Sequence, residues 1–138
     1  MSLAMASAAV APTRVVISGA GSAIVNGVYA RRAAAAVPAA FARVCYASGW
    51  DAAATWDRLN GPREWWEAPN NSYVYFNRGD RLWWLDSGET GLGLYVSSVA
   101  AISTTPVLEA PPVDGWTVIG DGALPLPTVS VGGEGGEL

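Results

Sequence analysis

VVISGAGSAIVNGVYARR, residues 15–32, is the stretch whose reading decides the fold. A β-branched apolar run followed by Gly19 and Gly21 is how a dinucleotide-binding fold opens, its glycines bringing the backbone to a pyrophosphate at a helix N-terminus. That motif needs a third glycine where Ile24 stands, and a helix beginning there; the chain instead continues as IVNGVY, strand-forming and broken by Asn26-Gly27. The ribose-binding acid, due about 20 residues beyond the glycines, is missing as well, because Asp51 is the first acid in the chain. Residues 13–18 and 24–31 therefore read as two short strands joined by a glycine turn, and no cofactor is expected. Asn26-Gly27 suits positive φ, in a tight turn or bulge that swings Tyr29 towards one face.

The same strand chemistry recurs further on. SYVYFNRGDRLWWLDS, residues 72–87, is two aromatic-rich runs around Asn77-Arg78-Gly79-Asp80, the signature of a β-hairpin with Gly79 at its tip. Arg-Gly-Asp is also a tripeptide that integrins read, but turn chemistry alone accounts for it. Further strands are expected at GLGLYVSS, at GWTVIG after a Ser-, Thr- and Pro-rich stretch, and at LPLPTVSV, whose prolines suit an edge. Residues 48–62 carry the helix signals: Ser48 or Asp51 as N-cap, Ala52, Trp56 and Leu59 on one face, and Asn60-Gly61-Pro62 as the stop, with glycine free to close left-handed. Residues 33–46 read as a loop and then a strand near 41–46, with a helix as the alternative. The fold class is mainly β, or α+β if the helix is counted: a small antiparallel sheet or partly open barrel of about six to eight short strands, with one short helix near 51–60.

Composition sets the outer limits. The chain has 138 residues, 51% of them apolar and 14% charged, which suits one packed domain and excludes general disorder. A flexible leader is expected over residues 1–13, a single β-rich domain over 14–131 and a disordered acidic tail over 132–138. The leader lacks the basic start of a secretory signal, and no apolar run approaches the roughly 18 residues that span a bilayer. With one cysteine, Cys45, and no histidine, the usual zinc and iron sites are excluded and no metal is expected. A single unpaired thiol in an apolar stretch suits a buried structural role in an intracellular, cytoplasmic protein. Residues 1–50 carry +4 and the remainder −8, so the halves should attract each other, while the net −4 lacks the basic face that nucleic acid requires.

Seven tryptophans are the strongest compositional signal. In the hairpin Tyr73 and Tyr75 point one way and Val74 and Phe76 the other, so both faces are apolar and both need cover. Rings left without cover would dock a partner or a second copy of the chain. Tyr29, Trp83, Trp84, Tyr95 and Trp116 are the candidates for that surface, or for the core beneath it. Glu64, Glu67, Asp80 and Asp86 lie near aromatic residues that could raise a carboxyl pKa, but spacing does not place two across a cleft, and no catalytic residue is assigned.

Gly19, Gly21, Val25, Asn26, Gly27, Tyr29, Trp84, Tyr95, Gly115, Trp116, Pro125 and Pro127 also form an ordered pattern, G-x-G…VNG-x-Y…aromatic hairpin…G-W…P-x-P. In this the chain resembles a class of small β-rich modules of unicellular eukaryotes, sometimes arranged in tandem. Residues 46–69 are longer than that pattern provides for. The resemblance implies a β module and carries over no catalytic residues. The function expected is a non-enzymatic protein-interaction or scaffolding module, with self-association as one form of it. The alternative is recognition of a small, carbohydrate-like ligand by exposed Trp or Tyr, with hydrolysis by a carboxylate pair.

Overall fold

The computed structural model describes residues 11–98 and 110–132. Most of the expected leader (1–10), part of the Ser-, Thr- and Pro-rich stretch (99–109) and nearly all of the acidic tail (133–138) lie outside the described residues. Eight strands form one antiparallel sheet that curls into a half-barrel. In chain order they are β1 (Arg14–Ser18), β2 (Gly27–Arg32), β3 (Trp65–Glu67), β4 (Tyr73–Asn77), β5 (Leu82–Asp86), β6 (Gly93–Ser97), β7 (Trp116–Val118) and β8 (Thr128–Gly132). Strands β1 to β7 lie side by side in sequence order, and β8 returns to pair with β1, leaving β7 and β8 as the two edges. Ala11 and Pro12 belong to the folded domain rather than to a leader: their carbonyls accept hydrogen bonds from Arg31 Nη1 (2.6 Å) and Trp66 Nε1 (2.9 Å).

The opening stretch forms a hairpin, β1 against β2 with Val15 opposite Tyr29. Its two glycines do different work. Gly19 takes a left-handed φ of 73°, while a side chain at Gly21 would stand 2.0 Å from the Leu124 carbonyl oxygen, so glycine is there for close approach. Asn26 is extended rather than left-handed, and acts through its side chain, which brackets the backbone N–H and C=O of Ala20 at 3.0 and 3.2 Å.

Ile24 and Val25, expected in a strand over 24–31, instead form a 3-10 turn (Ala23–Val25), and the strand starts at Gly27. Among the described residues two α-helices are present rather than one. Residues 39–48 form α1 (Ala39–Ser48) where a strand near 41–46 was expected. Pro38 precedes the first turn, where its missing N–H costs nothing, and Ala, Arg and Cys fill a helix that buries Ala40, Phe41 and Cys45. The expected helix is α2 (Ala52–Asn60), capped by Asp51, whose side chain accepts from the Ala54 N–H at 2.8 Å. Gly61 ends it without turning left-handed (φ −62°); a Cβ there would meet Asp57 Oδ1 at 2.5 Å, so close approach again explains the glycine. At the β4–β5 hairpin the positive φ belongs to Arg81 (61°) and not to Gly79, because Asn77 Oδ1 already organises the turn by accepting the N–H groups of Gly79 and Asp80.

The sheet has no wet face over β3, β4 and β5. Phe41 and Trp56 from the helices pack on one side against Trp65, Tyr73 and Tyr75, with Phe41–Trp56 and Trp56–Tyr75 centroids both 4.9 Å apart. The curl encloses the other side, where Val15, Ile17, Tyr29, Trp66, Val74, Phe76, Trp83, Leu85, Tyr95, Trp116 and Val129 are all buried. The uneven charge of the sequence also finds its use: Arg31 pairs with Glu64 and Arg32 with Glu67, and Arg43 donates to the Gly88 and Glu89 carbonyls.

Candidate functional site

Four of the five aromatic residues singled out from the sequence are interior. Tyr29, Trp83, Tyr95 and Trp116 are buried, and three of them have assigned hydrogen-bond partners. Tyr29 donates to the Val25 carbonyl at 2.6 Å and Trp116 Nε1 to the Pro112 carbonyl at 2.8 Å. Tyr95 accepts from the Ser22 N–H at 3.0 Å and donates to the Ala123 carbonyl at 2.5 Å. Trp83 packs on Phe76 and Trp66, with the Arg63 guanidinium 5.5 Å from its centroid. Trp84 reaches the surface but is pinned: its ring lies over Gly93, where a Cβ would meet it at 2.6 Å, and its Nε1 donates to Asp80 Oδ2 at 2.9 Å. These rings hold the fold together and do not form one surface.

The exposed aromatic pair lies elsewhere, at the junction of α1 and α2. Tyr46 is 88% exposed and Trp50 is 59% exposed. With Ala42, Arg43 and Ala52 they line an apolar groove of about 320 Å³. Local backbone chemistry sets both rings. Gly49 closes α1 in the left-handed conformation (φ 76°), and the Trp50 N–H bonds back to the Cys45 carbonyl at 2.8 Å, the bond pattern by which a helix ends and its next residue is turned aside. Asp51 then caps α2, so Trp50 is fixed between a helix end and a helix start. Arg43 brings a cation to the rim, its Nη2 held by the Gly88 and Glu89 carbonyls. The sequence signal for this site was the glycine after the helical residues 39–48, which goes unread if 41–46 is taken as a strand.

The carboxylates are placed apart from these rings. Glu64 and Glu67 are paired with arginines, and Asp80 serves Trp84 and the Leu82 N–H. A second cleft, of about 270 Å³ between the loops around Ser22, Ser87 and Gly120, brings Glu89 and Asp121 together without an aromatic wall. Asp86 is buried opposite Tyr73, and its Oδ1 has no partner among the described residues. Burial pushes its carboxyl up to about 8, against a smaller opposing pull from a hydrogen bond with Tyr73. The same burial raises the hydroxyls of Tyr73, Tyr75 and Tyr29, with the Asp86 charge adding to each. Asp86 thus holds its proton at neutral pH, inside the sheet and facing no cleft among those described. Cys45 is fully buried, and desolvation raises its thiol, which suits packing rather than nucleophilic chemistry.

Among the described residues no group of three or more His, Cys, Asp or Glu side chains could hold a metal ion, and no helix is long and apolar enough to cross a membrane. No protein-family model, curated protein or solved structure matches the chain, and none supports the likeness to small β-rich modules.

Proposed function

We propose that this chain is a non-enzymatic, intracellular protein-interaction module that engages its partner through Tyr46 and Trp50. The observation that carries this is the exposure of two large rings beside an apolar groove, in a molecule that buries or pins the other rings considered above. Aromatic side chains fixed by rigid backbone are the residues that dominate protein interfaces, because they bury large area at little entropic cost. The groove favours an apolar side chain over a sugar: besides the Tyr46 hydroxyl and the Trp50 indole N–H its lining supplies only Arg43, whose guanidinium is already shared with two carbonyls. A carbohydrate needs several convergent polar groups. The acids that could serve hydrolysis are in a different cleft from the rings.

A displayed library of random peptides, panned against the intact chain and against a Tyr46→Ser/Trp50→Ser variant with an unchanged far-UV spectrum, tests the reading. Peptides with an apolar anchor should be enriched by the parent and lose at least about tenfold in affinity on the variant. Equal enrichment by both overturns it, as does quenching of Trp50 by soluble oligosaccharides but by no peptide.

A further inference from the structure

The two edges of the half-barrel are not equivalent. An open edge offers a row of unpaired backbone N–H and C=O groups, which natural sheets guard with charge, proline, a bulge or brevity. Strand β7 is guarded: it is three residues long, with Asp114 just before it and Asp121 just after. Strand β8 is less guarded, although Pro127 stands immediately before it. It is five residues, Thr-Val-Ser-Val-Gly, with no charge or proline, and it pairs with β1 in unbroken register from Ser18–Thr128 to Arg14–Gly132. Among the described residues nothing pairs with its outer side.

We infer that β8 is a self-association edge, pairing antiparallel with β8 of a second copy about a two-fold axis through Ser130. The sequence around that point is its own complement. Such a pairing sets Ser130 opposite Ser130 of the second copy and Val129 opposite its Val131. Val129 and Val131 both point into the curl, facing Ile17 and Val15 across the β1 ladder, whereas Thr128 and Ser130 face out. Apolar side chains therefore meet apolar ones on one face, and hydroxyls meet on the other. Val131, 38% exposed in the single chain, gains the cover it lacks. Charge points to the same edge: copies that each carry −4 repel, and the uncharged strand is where they approach at least cost. Five residues of ladder are far short of the area of a strong interface, so the dimer should be weak and dependent on concentration. This inference is independent of the groove at Tyr46 and Trp50.

Sedimentation velocity of the full chain up to about millimolar concentration should show reversible dimerisation. Val131→Lys, which places a charge on the inner side of the edge, and Ser130→Lys, which sets two like charges opposite each other, should each weaken it at least about tenfold. Ser130 is on the solvent face, so its variant keeps the test open if Val131→Lys fails to fold. Register has its own readout. Mild oxidation of Ser130→Cys should give a covalent dimer, whereas Thr128→Cys, about 13 Å from its counterpart in that register, should not. A chain that stays monomeric throughout overturns the inference, as does a dimer that survives both lysine variants and is lost in Trp50→Ser.

Discussion

The two faces of the central strands are both buried, but by different means. Over β3 to β5 one face is covered by α1 and α2, with Trp56 as the ring that reaches down between Trp65, Tyr73 and Tyr75. The other is covered by the sheet itself, curling until Val15, Trp66, Trp83 and Tyr95 share one interior. A cover made by separate helices depends on a few contacts and can lift while the sheet stays intact. A cover made by the sheet's own curvature is lost only when the ladder is lost. The helix-covered side also holds a buried carboxyl, Asp86 of β5, and the helical layer itself carries the exposed rings Tyr46 and Trp50.

Removing Trp56 tests the contrast hardest. Trp56→Ala deletes a fully buried ring that touches Phe41, Trp65, Tyr73 and Tyr75, and should cost about 3–5 kcal/mol. Its Nε1 has no hydrogen-bond partner among the described residues, so the loss is one of packing. In urea denaturation the helical far-UV signal should disappear before the sheet signal. Trp83→Ala, of similar cost but inside the curl, should instead lower both together. Coincident transitions in both variants would make the two layers a single cooperative unit.

Asp86 gives the contrast a pH dependence. Its carboxyl ionises near the ordinary 3.8 in the unfolded chain and at about 8 in the folded one, so between those values the folded state binds more protons. Stability owed to this group is present in full below about pH 4 and is lost as pH rises towards 8. Between pH 5 and 7 the loss amounts to about 3 kcal/mol. Asp86→Asn, which cannot ionise, should remove that slope. Unfolding free energies measured at several pH values for both proteins check it, and parallel curves would show Asp86 to be ionised and solvated in the native chain.

How far the sequence revealed this depended on whether the signal was local. Alternation in residues 72–87 was enough to place β4 and β5 and to show that both faces needed cover, because the period of side chains along a strand is intrinsic to its backbone. The hairpin of the opening stretch was legible, but its second strand begins only at Gly27: Ile24 and Val25 stand in a 3-10 turn, with the Val25 N–H bonded to the Ser22 carbonyl. Gly21 and Gly61 were legible as glycines but not as close approaches, since the atoms that exclude a side chain come from Leu124 and from the preceding turn of α2. Residues 41–46 are open to strand or helix on local grounds, and packing of Phe41 on Trp56 goes with the helix. The candidate rings failed as a surface because burial is set by the curl, and a strand pattern does not say how far a sheet will bend.

Tyr95→Phe probes how the curl is finished. Its hydroxyl bridges the loop after β1 to the segment between β7 and β8, and removal leaves the Ser22 N–H and the Ala123 carbonyl without it. A loss of about 1–3 kcal/mol is expected. Amide exchange should quicken at Ser22 and around Ala123, while β4 and β5 keep their protection. Uniform quickening across the sheet would mean that the bridge supports the whole interior and not one end of it.

The smallest effect separates structure from contact. Trp50→Ser and Tyr46→Ser remove large rings, yet both are exposed, and neither takes part in the ring packing that joins α1 and α2 to the sheet. Each should change unfolding free energy by no more than about 0.5 kcal/mol, roughly a tenth of the Trp56 effect. The Trp50 N–H that closes α1 is backbone and survives the substitution, so far-UV spectra should overlay. A ring that contributes so little to stability is free to make contacts outside the fold. If Trp50→Ser instead destabilised the chain as Trp56→Ala does, the groove would be part of the helix cover, and the distinction between a detachable layer and its working surface would collapse.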